Sequence, residues 1–348
     1  MLAGLFQKIF VAIISDKDGY DIQTIVVKKK KTLHKESRHF EGDVPSPVMI
    51  RYINDVIDPS PFFYISTLNL HANQGAYDGC SKPPESLQSQ DAVGIQTLCR
   101  DEKWTQYASQ DALYQLRSQY NTIGLDFIFS PFSMIEFYFA DKIKNSFALY
   151  AFGMPELFSV AIFDGGKLEY AHHYARGSSK SASIDEEVSE MEFTSSSLGH
   201  EVPEGSILLD DIEDLEDLDL LDDLDSFGDI ADLDDLDEVS EFSEDTLTPE
   251  EIRQERDHNT NAVKNEIDDS SEEYARFEFI QKTLQRFYAS SHCHNRFIET
   301  VCIADSSSGG DELKRYLEEE LFLNVLIRKV DVCEGINALA QAEVEGLG

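Results

Sequence analysis

The sequence predicts a mixed α/β protein of two related lobes, interrupted by a long acidic segment. Two β-hairpin patterns, one from residue 9 and one from residue 157, each open a half of the chain, and mixed β and α patterns follow each. The apolar fraction of 41%, with 22 Phe and 14 Tyr in 348 residues, is ample for a large core. The net charge of −38 is concentrated in one place. From Ser181 to Ile252 there is no Lys or Arg against 28 Asp and Glu, and the rest of the chain carries 29 basic and 39 acidic residues, a net of −10. These shifts place a first lobe over 1–150, a second over 151–180 and 266–348, and an acidic, largely disordered insert over 181–265.

Residues 9–27, IFVAIISDKDGYDIQTIVV, read as a hairpin in which two β-branched runs flank DKDG and Gly19 supplies a positive φ. Lys28 to Lys31 reads as a solvated strand end. In Pro45 to Asp58 the residues Met49, Ile50, Ile53, Val56 and Ile57 recur at helical spacing. PFFYISTLNL is a buried strand with Pro61 at its start. His71 to Leu98, rich in Gly, Pro, Ser and Gln, reads as a loop. Asp101 to Asn121 reads as a helix that turns Trp104, Tyr107, Leu113, Leu116 and Tyr120 inward. GLDFIFSPF is a short strand, followed by a helix from about Ser133 to Phe147. Leu157 to Gly177 is the second hairpin, turning at Asp164, Gly165 and Gly166. Past the acidic segment come a helix over Ser270 to Ser291, the strand RFIETVCIAD, the helix DELKRYLEEEL, the strand NVLIRKVDV and a short terminal helix from Cys333.

In the acidic segment every third residue from Leu209 to Phe242 is apolar, with Leu215, Leu218, Leu221, Leu224, Leu233 and Leu236 among them. A period of three winds around a helix instead of forming one face, and Asp is a weak helix former. The segment reads as a disordered linker, or as a linear region whose leucines bind a basic, apolar groove of a partner protein. Some 70 flexible residues span roughly 45 Å, enough to reach a partner away from the core. An EF-hand is excluded, because DLDSFGDIADLD puts Phe227 where an oxygen ligand belongs.

No P-loop, GxGxxG, HExxH or GxSxG motif occurs, and no catalytic residue is assigned. His292, Cys293 and His294 lack a second Cys/His pair at finger spacing, so no metal is assigned. Nucleic acid is disfavoured as a partner, since phosphate recognition needs clustered Lys and Arg. Cys80, Cys99, Cys293, Cys302 and Cys333 are odd in number with no CxxC, which reads as reduced thiols in a cytoplasm. No window approaches 18 uncharged apolar residues, so no transmembrane segment is expected. Ser306 to Glu312, SSSGGDE, is a Ser/Gly loop between a strand and a helix, a place where free amides bind anions.

Taken together, the first hairpin, the hairpin LFSVAIFDGGKLEY and the C-terminal helix–strand–loop–helix–strand resemble the actin-like ATPase superfamily. Within it they are similar to the cytoplasmic pilus-assembly and type II secretion proteins of the PilM and GspL kind. The resemblance implies a two-lobed actin-like (ribonuclease H-like) fold. Any surviving pocket for ATP and Mg would lie at Asp164, Gly165, Gly166, Ser308, Gly309 and Gly310. Several departures point to a degenerate member with no bound cofactor. Lys17 and Tyr20 sit in the first turn, DGGKLEY lacks the hydroxyl-rich continuation, and IADSSS opens the last loop. The acidic segment also stands where the family has the subdomain that closes over the nucleotide. The implied role is a non-catalytic cytoplasmic scaffold of a type IV pilus, type II secretion or DNA-uptake assembly. It would link an assembly ATPase to inner-membrane components and be peripheral at that membrane through its partners. The alternatives are an ATP-binding ATPase of the same fold and a stand-alone acidic adaptor presenting the leucine repeat.

Overall fold

Every position from Ile9 to Ile14 is apolar, and the strand it forms, β1 (Lys8–Asp16), is buried on both faces. Alternation decides which core each face meets. Ile9, Val11 and Ile13 pack in one cluster, while Phe10, Ala12 and Ile14 face another. In the computed structural model the described residues are 6–81, 83, 87, 94–155, 157–175, 272–290, 296–307 and 309–346. All of them fall in one compact unit, Met1–Ala182 with Ala262–Gly348; the other unit, Ser183–Asn261, lies outside them.

The first sheet adds β2 (Gly19–Lys28), β3 (Lys31–Glu41), β4 (Phe63–Leu68) and β8 (Phe127–Phe129), in the order β3-β2-β1-β4-β8. The β1–β2–β3 meander is antiparallel, and β1, β4 and β8 run parallel. The second sheet repeats this wiring with β9 (Phe147–Met154), β10 (Leu157–Asp164), β11 (Lys167–Ala175), β12 (Thr300–Asp305) and β13 (Asn324–Lys329), ordered β11-β10-β9-β12-β13. Again the first three are antiparallel and the last two parallel to β9. Two copies of this order in one chain form the two-lobed actin-like, ribonuclease H-like fold.

Helix α1 (Pro47–Ile57) starts where Ser46 accepts a hydrogen bond from Met49 N at 3.2 Å and Pro47 sets the first φ. It buries Met49 and Ile53 against the outer face of the first sheet. The helix 272–289, here α4, does the same for the second sheet with Phe277, Ile280, Leu284 and Phe287, and α5 (Asp311–Glu320) adds Leu313 and Leu317. Between β4 and β8 lie a three-stranded sheet, β5 (Gln74–Asp78), β6 (Ile95–Arg100) and β7 (Trp104–Ser109), and α2 (Gln110–Gln119). Helix α3 (Pro131–Ile143) ends the first half but packs on β9 and β10, whereas the terminal α6 (Val332–Gly346) packs on β1, β2 and β4. Each half thus lends its last helix to the other. The shared core runs without a break from Phe10 and Ala12 through Met134 and Leu339 to Tyr150 and Phe152.

Four sequence expectations are corrected. Residues 104–109 form strand β7 and not the start of a helix, because the aromatic and β-branched run Trp104-Thr105-Gln106-Tyr107 pairs on both sides. The loop expected over His71 to Leu98 holds β5 and the start of β6. The helix expected to reach Phe147 stops at Ile143, and FALYAFGM forms β9, the centre of the second sheet. Cys80 and Cys99 are joined in a disulfide, their Cα atoms 5.3 Å apart, because the chain turns at Gly79 past the end of β5 and brings Cys80 onto the Trp104 carbonyl of β7, beside Cys99 of β6. Cys302 and Cys333 are free and buried. Among the described residues no helix is long and apolar enough to cross a membrane.

Candidate functional site

Both central strands, β1 and β9, end at one cleft of about 470 Å³ between the sheets. Asp16 and the β2–β3 residues Asp21, Gln23, Arg38 and His39 line one wall; Met154, Pro155, Ser306 and the β13–α6 junction Val330–Cys333 line the other. This is where the two hairpin turns of the fold meet, the position expected for a phosphate-binding pair of turns.

In both turns, described groups are bonded within the protein. In the β1–β2 turn the Asp16 carboxylate accepts the Lys17 amide at 2.7 Å. Gly19 has a φ of +149°, and a Cβ there would collide with the Phe40 carbonyl of β3, so its glycine serves strand pairing. In the β9–β10 turn Pro155 has no amide to offer. The Met154 carbonyl accepts Arg276 Nη2 at 2.9 Å, and the Gly153 carbonyl accepts the Ser306 amide at 3.0 Å. Across the cleft Asp331 caps α6 by accepting Glu334 N at 3.0 Å, and it also accepts Gln23 Nε2 at 2.9 Å. Asn337 Nδ2 donates to the Gln23 carbonyl at 3.0 Å. These bonds lock α6 to the first sheet. His39 remains on the rim beside Asp21 at 2.8 Å, and that hydrogen bond raises its pKa.

The loop after β12 is filled from within. Helix α5 begins at Gly310, which has φ +125° and no side chain to cap the helix. Glu273, buried at the start of α4, supplies the cap: Oε1 accepts the Gly310 amide at 2.6 Å and Oε2 accepts the Leu313 amide at 2.7 Å. A Cβ on Gly309 would overlap this carboxylate, so Gly309 is the residue that lets Glu273 in. One helical turn on, Arg276 donates to Asp305 Oδ1 and Oδ2 at 3.2 Å and to Ser307 Oγ at 3.1 Å. Ser307 closes back on Asp305, with N at 3.1 Å and Oγ at 2.7 Å. Lys329 holds the loop carbonyls of Ser307 and Gly309. A helix N-terminus is an anion site; here the anion is the protein's own.

The amides of Ser306, Ser307, Gly310 and Leu313 are therefore engaged, and the expected pocket residues do not converge. Gly309 and Gly310 lie at the cleft end of the second sheet. Asp164 pairs with Phe147 in register, at the opposite end of β9, and Gly165 and Gly166 turn there with it. Asp164 forms an ion pair with Arg296, whose guanidinium lies 4.3 Å over the Phe147 ring. The sequence reading paired the second hairpin with the loop because it missed β9, and the hairpin turn that faces the cleft is β9–β10. Ser308 and the leucines Leu215, Leu218, Leu221, Leu224, Leu233 and Leu236 lie outside the described residues. Glu273, Arg276, Asp305 and Lys329 were not expected. A signal for the first two is present in the helix pattern: Glu273 and Arg276 stand four residues before Phe277 and Ile280, so both charges fall on the buried face.

No curated protein matches the chain. Among solved structures it is similar to a Bacteroides thetaiotaomicron protein with actin-like ATPase fold and unknown function, at 9% identity and TM-score 0.43 over 92% of this chain and 91% of that one. It is similar to a chain of the PilM–PilN type IV pilus biogenesis complex, at 10% identity and TM-score 0.47 over 94% and 89%. It is also similar to the activator of 2-hydroxyisocaproyl-CoA dehydratase from Clostridium difficile with bound ADPNP, at 9% identity and TM-score 0.36 over 95% and 91%. A family model described as Domain of unknown function DUF8569 matches residues 6–136. A second model, matching residues 149–345 and so more than half of the sequence, shows that the chain belongs to the family described as Domain of unknown function DUF8341.

Proposed function

We propose that this chain is a non-catalytic scaffold of a type IV pilus, type II secretion or DNA-uptake assembly. In this role it holds an assembly ATPase beside inner-membrane components and is peripheral at the membrane through them. The observation that carries the non-catalytic part is the Glu273 carboxylate on the Gly310 and Leu313 amides. Pro155 in the opposing turn supports it, since a phosphate there would meet no backbone donor from that residue. The exchanged helices α3 and α6 favour a frame of fixed shape over a cleft that closes around a ligand. The setting follows from the element order the sequence shares with the PilM and GspL kind. Pull-down of the full chain from crosslinked native membranes tests it. Recovery of pilus, secretion or uptake components supports the assignment, and their absence beside recovered abundant membrane proteins counts against it.

The second reading, an ATP-binding protein of the same fold, is favoured by the volume of the cleft and by Asp16 at its wall. It predicts Mg-ATP affinity that Asp16→Ala removes.

A further inference from the structure

The end of the first sheet opposite the cleft gathers lysines and exposed apolar side chains. Strand pairing fixes the arrangement: Lys28 faces Lys31 across the β2–β3 turn, Lys8 at the start of β1 faces Val27, and Ile9 faces Phe63 at the start of β4. The three segments that form this rim, residues 6–8, 27–33 and 59–63, hold five lysines and no carboxylate. Lys28 to Lys31 are all exposed and Lys8 is half-buried. Lys30 meets Glu345 of α6 at 3.4 Å, while Lys8, Lys28, Lys29 and Lys31 make no ion pair among the described residues. Beside that pair, the neighbouring carboxylates are Asp55 and Asp58 at the end of α1; Glu343 turns to Arg100 at 3.1 Å. Among the lysines stand Leu33, 55% exposed, Phe6, 49%, and Phe63, 37%. Lys29 and Lys30 are held at φ +49° and +64°, the mirror-turn conformation that Asn and Gly ordinarily supply. Two lysines there strain the backbone and set like charges side by side, an arrangement the fold itself does not call for.

We propose that this rim binds the surface of an anionic lipid bilayer. Lys28 to Lys31 reach the lipid phosphates, and Phe6, Leu33 and Phe63 enter at the depth of the headgroups. Neighbouring strands lie about 4.8 Å apart, so the rim from β3 to β4 is a row of roughly 14 Å. A row of cations and apolar tips along one end of a sheet meets a flat surface, whereas a bound peptide needs a groove or a free strand edge. Positive charge and exposed apolar groups are also the two signals that peripheral attachment takes together. Because the chain as a whole carries a net charge of −38, the attraction is confined to this end and turns the cleft away from the bilayer. The proposal goes beyond the scaffold reading, in which partners alone hold the chain at a membrane.

Co-sedimentation of the purified full chain with vesicles tests it. Vesicles of equal parts phosphatidylcholine and phosphatidylglycerol should carry the chain down at low salt, vesicles of phosphatidylcholine alone should not, and high salt should release it. Lys29→Asn with Lys30→Gly gives the turn the residues it favours, so the variant should melt no lower than the parent. Its partition should nonetheless fall by about fivefold for each lysine removed. Phe6→Ser with Leu33→Ser should weaken binding at every salt concentration. No sedimentation with the anionic vesicles, or sedimentation that the lysine pair does not affect, overturns the proposal. Capture by immobilised polyglutamate without binding to vesicles overturns the assignment to lipid in favour of an acidic protein. The assay contains no partner protein, so its failure leaves the scaffold reading to the pull-down.

Discussion

Glu273 is buried with two backbone amides for partners, so its removal leaves the first turn of α5 uncapped inside the protein. Glu273→Ala is expected to destabilise the fold by roughly 2–3 kcal/mol, the range for hydrogen bonds to a buried charged group. Glu273→Gln, which keeps one acceptor and turns a donor toward the other amide, should fall between; chemical denaturation measures both. His173 carries a second prediction. It is buried, its Nε2–H donates to the His71 carbonyl at 3.2 Å, and its Nδ1 accepts the Ser159 hydroxyl at 2.7 Å. Burial lowers its pKa to about 4, and burial lowers that of His71 as well. The unfolded chain then binds the extra proton between about pH 6.5 and 4. Stability from His173 is complete above that window and is lost as pH falls through it, by about 3 kcal/mol in all. Thermal unfolding across that range should show this slope, and His173→Gln should flatten it. At this scale the sequence marks the special residues without their partners. Gly309 and Gly310 are visible as a tight loop before a helix, yet nothing local shows that the group they admit comes from Glu273, 37 residues before Gly310 at the start of α4.

Among the elements, those with a distinct apolar run or period are legible, whether one face is buried as in α1 or both as in β1, and those without one, or merged with a neighbour's, are not. Helix α1, with its Ser-Pro start and four-residue spacing, and the first hairpin are plain in the residues. Strand β3 is exposed along almost its whole length and carries Lys31, Lys35, Glu36 and Arg38, the charged edge that discourages further pairing, so it has no apolar pattern to find. Strand β9 is the reverse case. It is buried on both faces, and its unbroken apolar run continues the pattern of the helix before it. The cysteines fail for another reason: their pairing depends on where the turn after β5 meets β6 and β7, a sheet that the sequence reads as loop and helix. The disulfide closes a loop of 19 residues' separation, worth about 3 kcal/mol on chain entropy. At most three of the five thiols should therefore react in denaturant without reductant, and Cys80→Ser should cost stability of that order. Five reactive thiols would restore the reduced reading and the compartment it implies.

At the scale of the whole molecule, repetition was visible and closure was not. Two hairpins, each followed by β and α patterns, announce two lobes. The exchange of α3 and α6, which runs one core through both, depends on contacts between halves that no local pattern encodes. The same exchange, with Asp331 bound to Gln23, ties the walls of the cleft to one another. The central claim is that this actin-like frame has its nucleotide loop filled by Glu273. Calorimetric titration of the full chain with Mg-ATP, on a sample shown to be folded by its thermal transition, tests that claim most directly. The account predicts no binding heat up to millimolar nucleotide; micromolar binding that Asp16→Ala abolishes would contradict it.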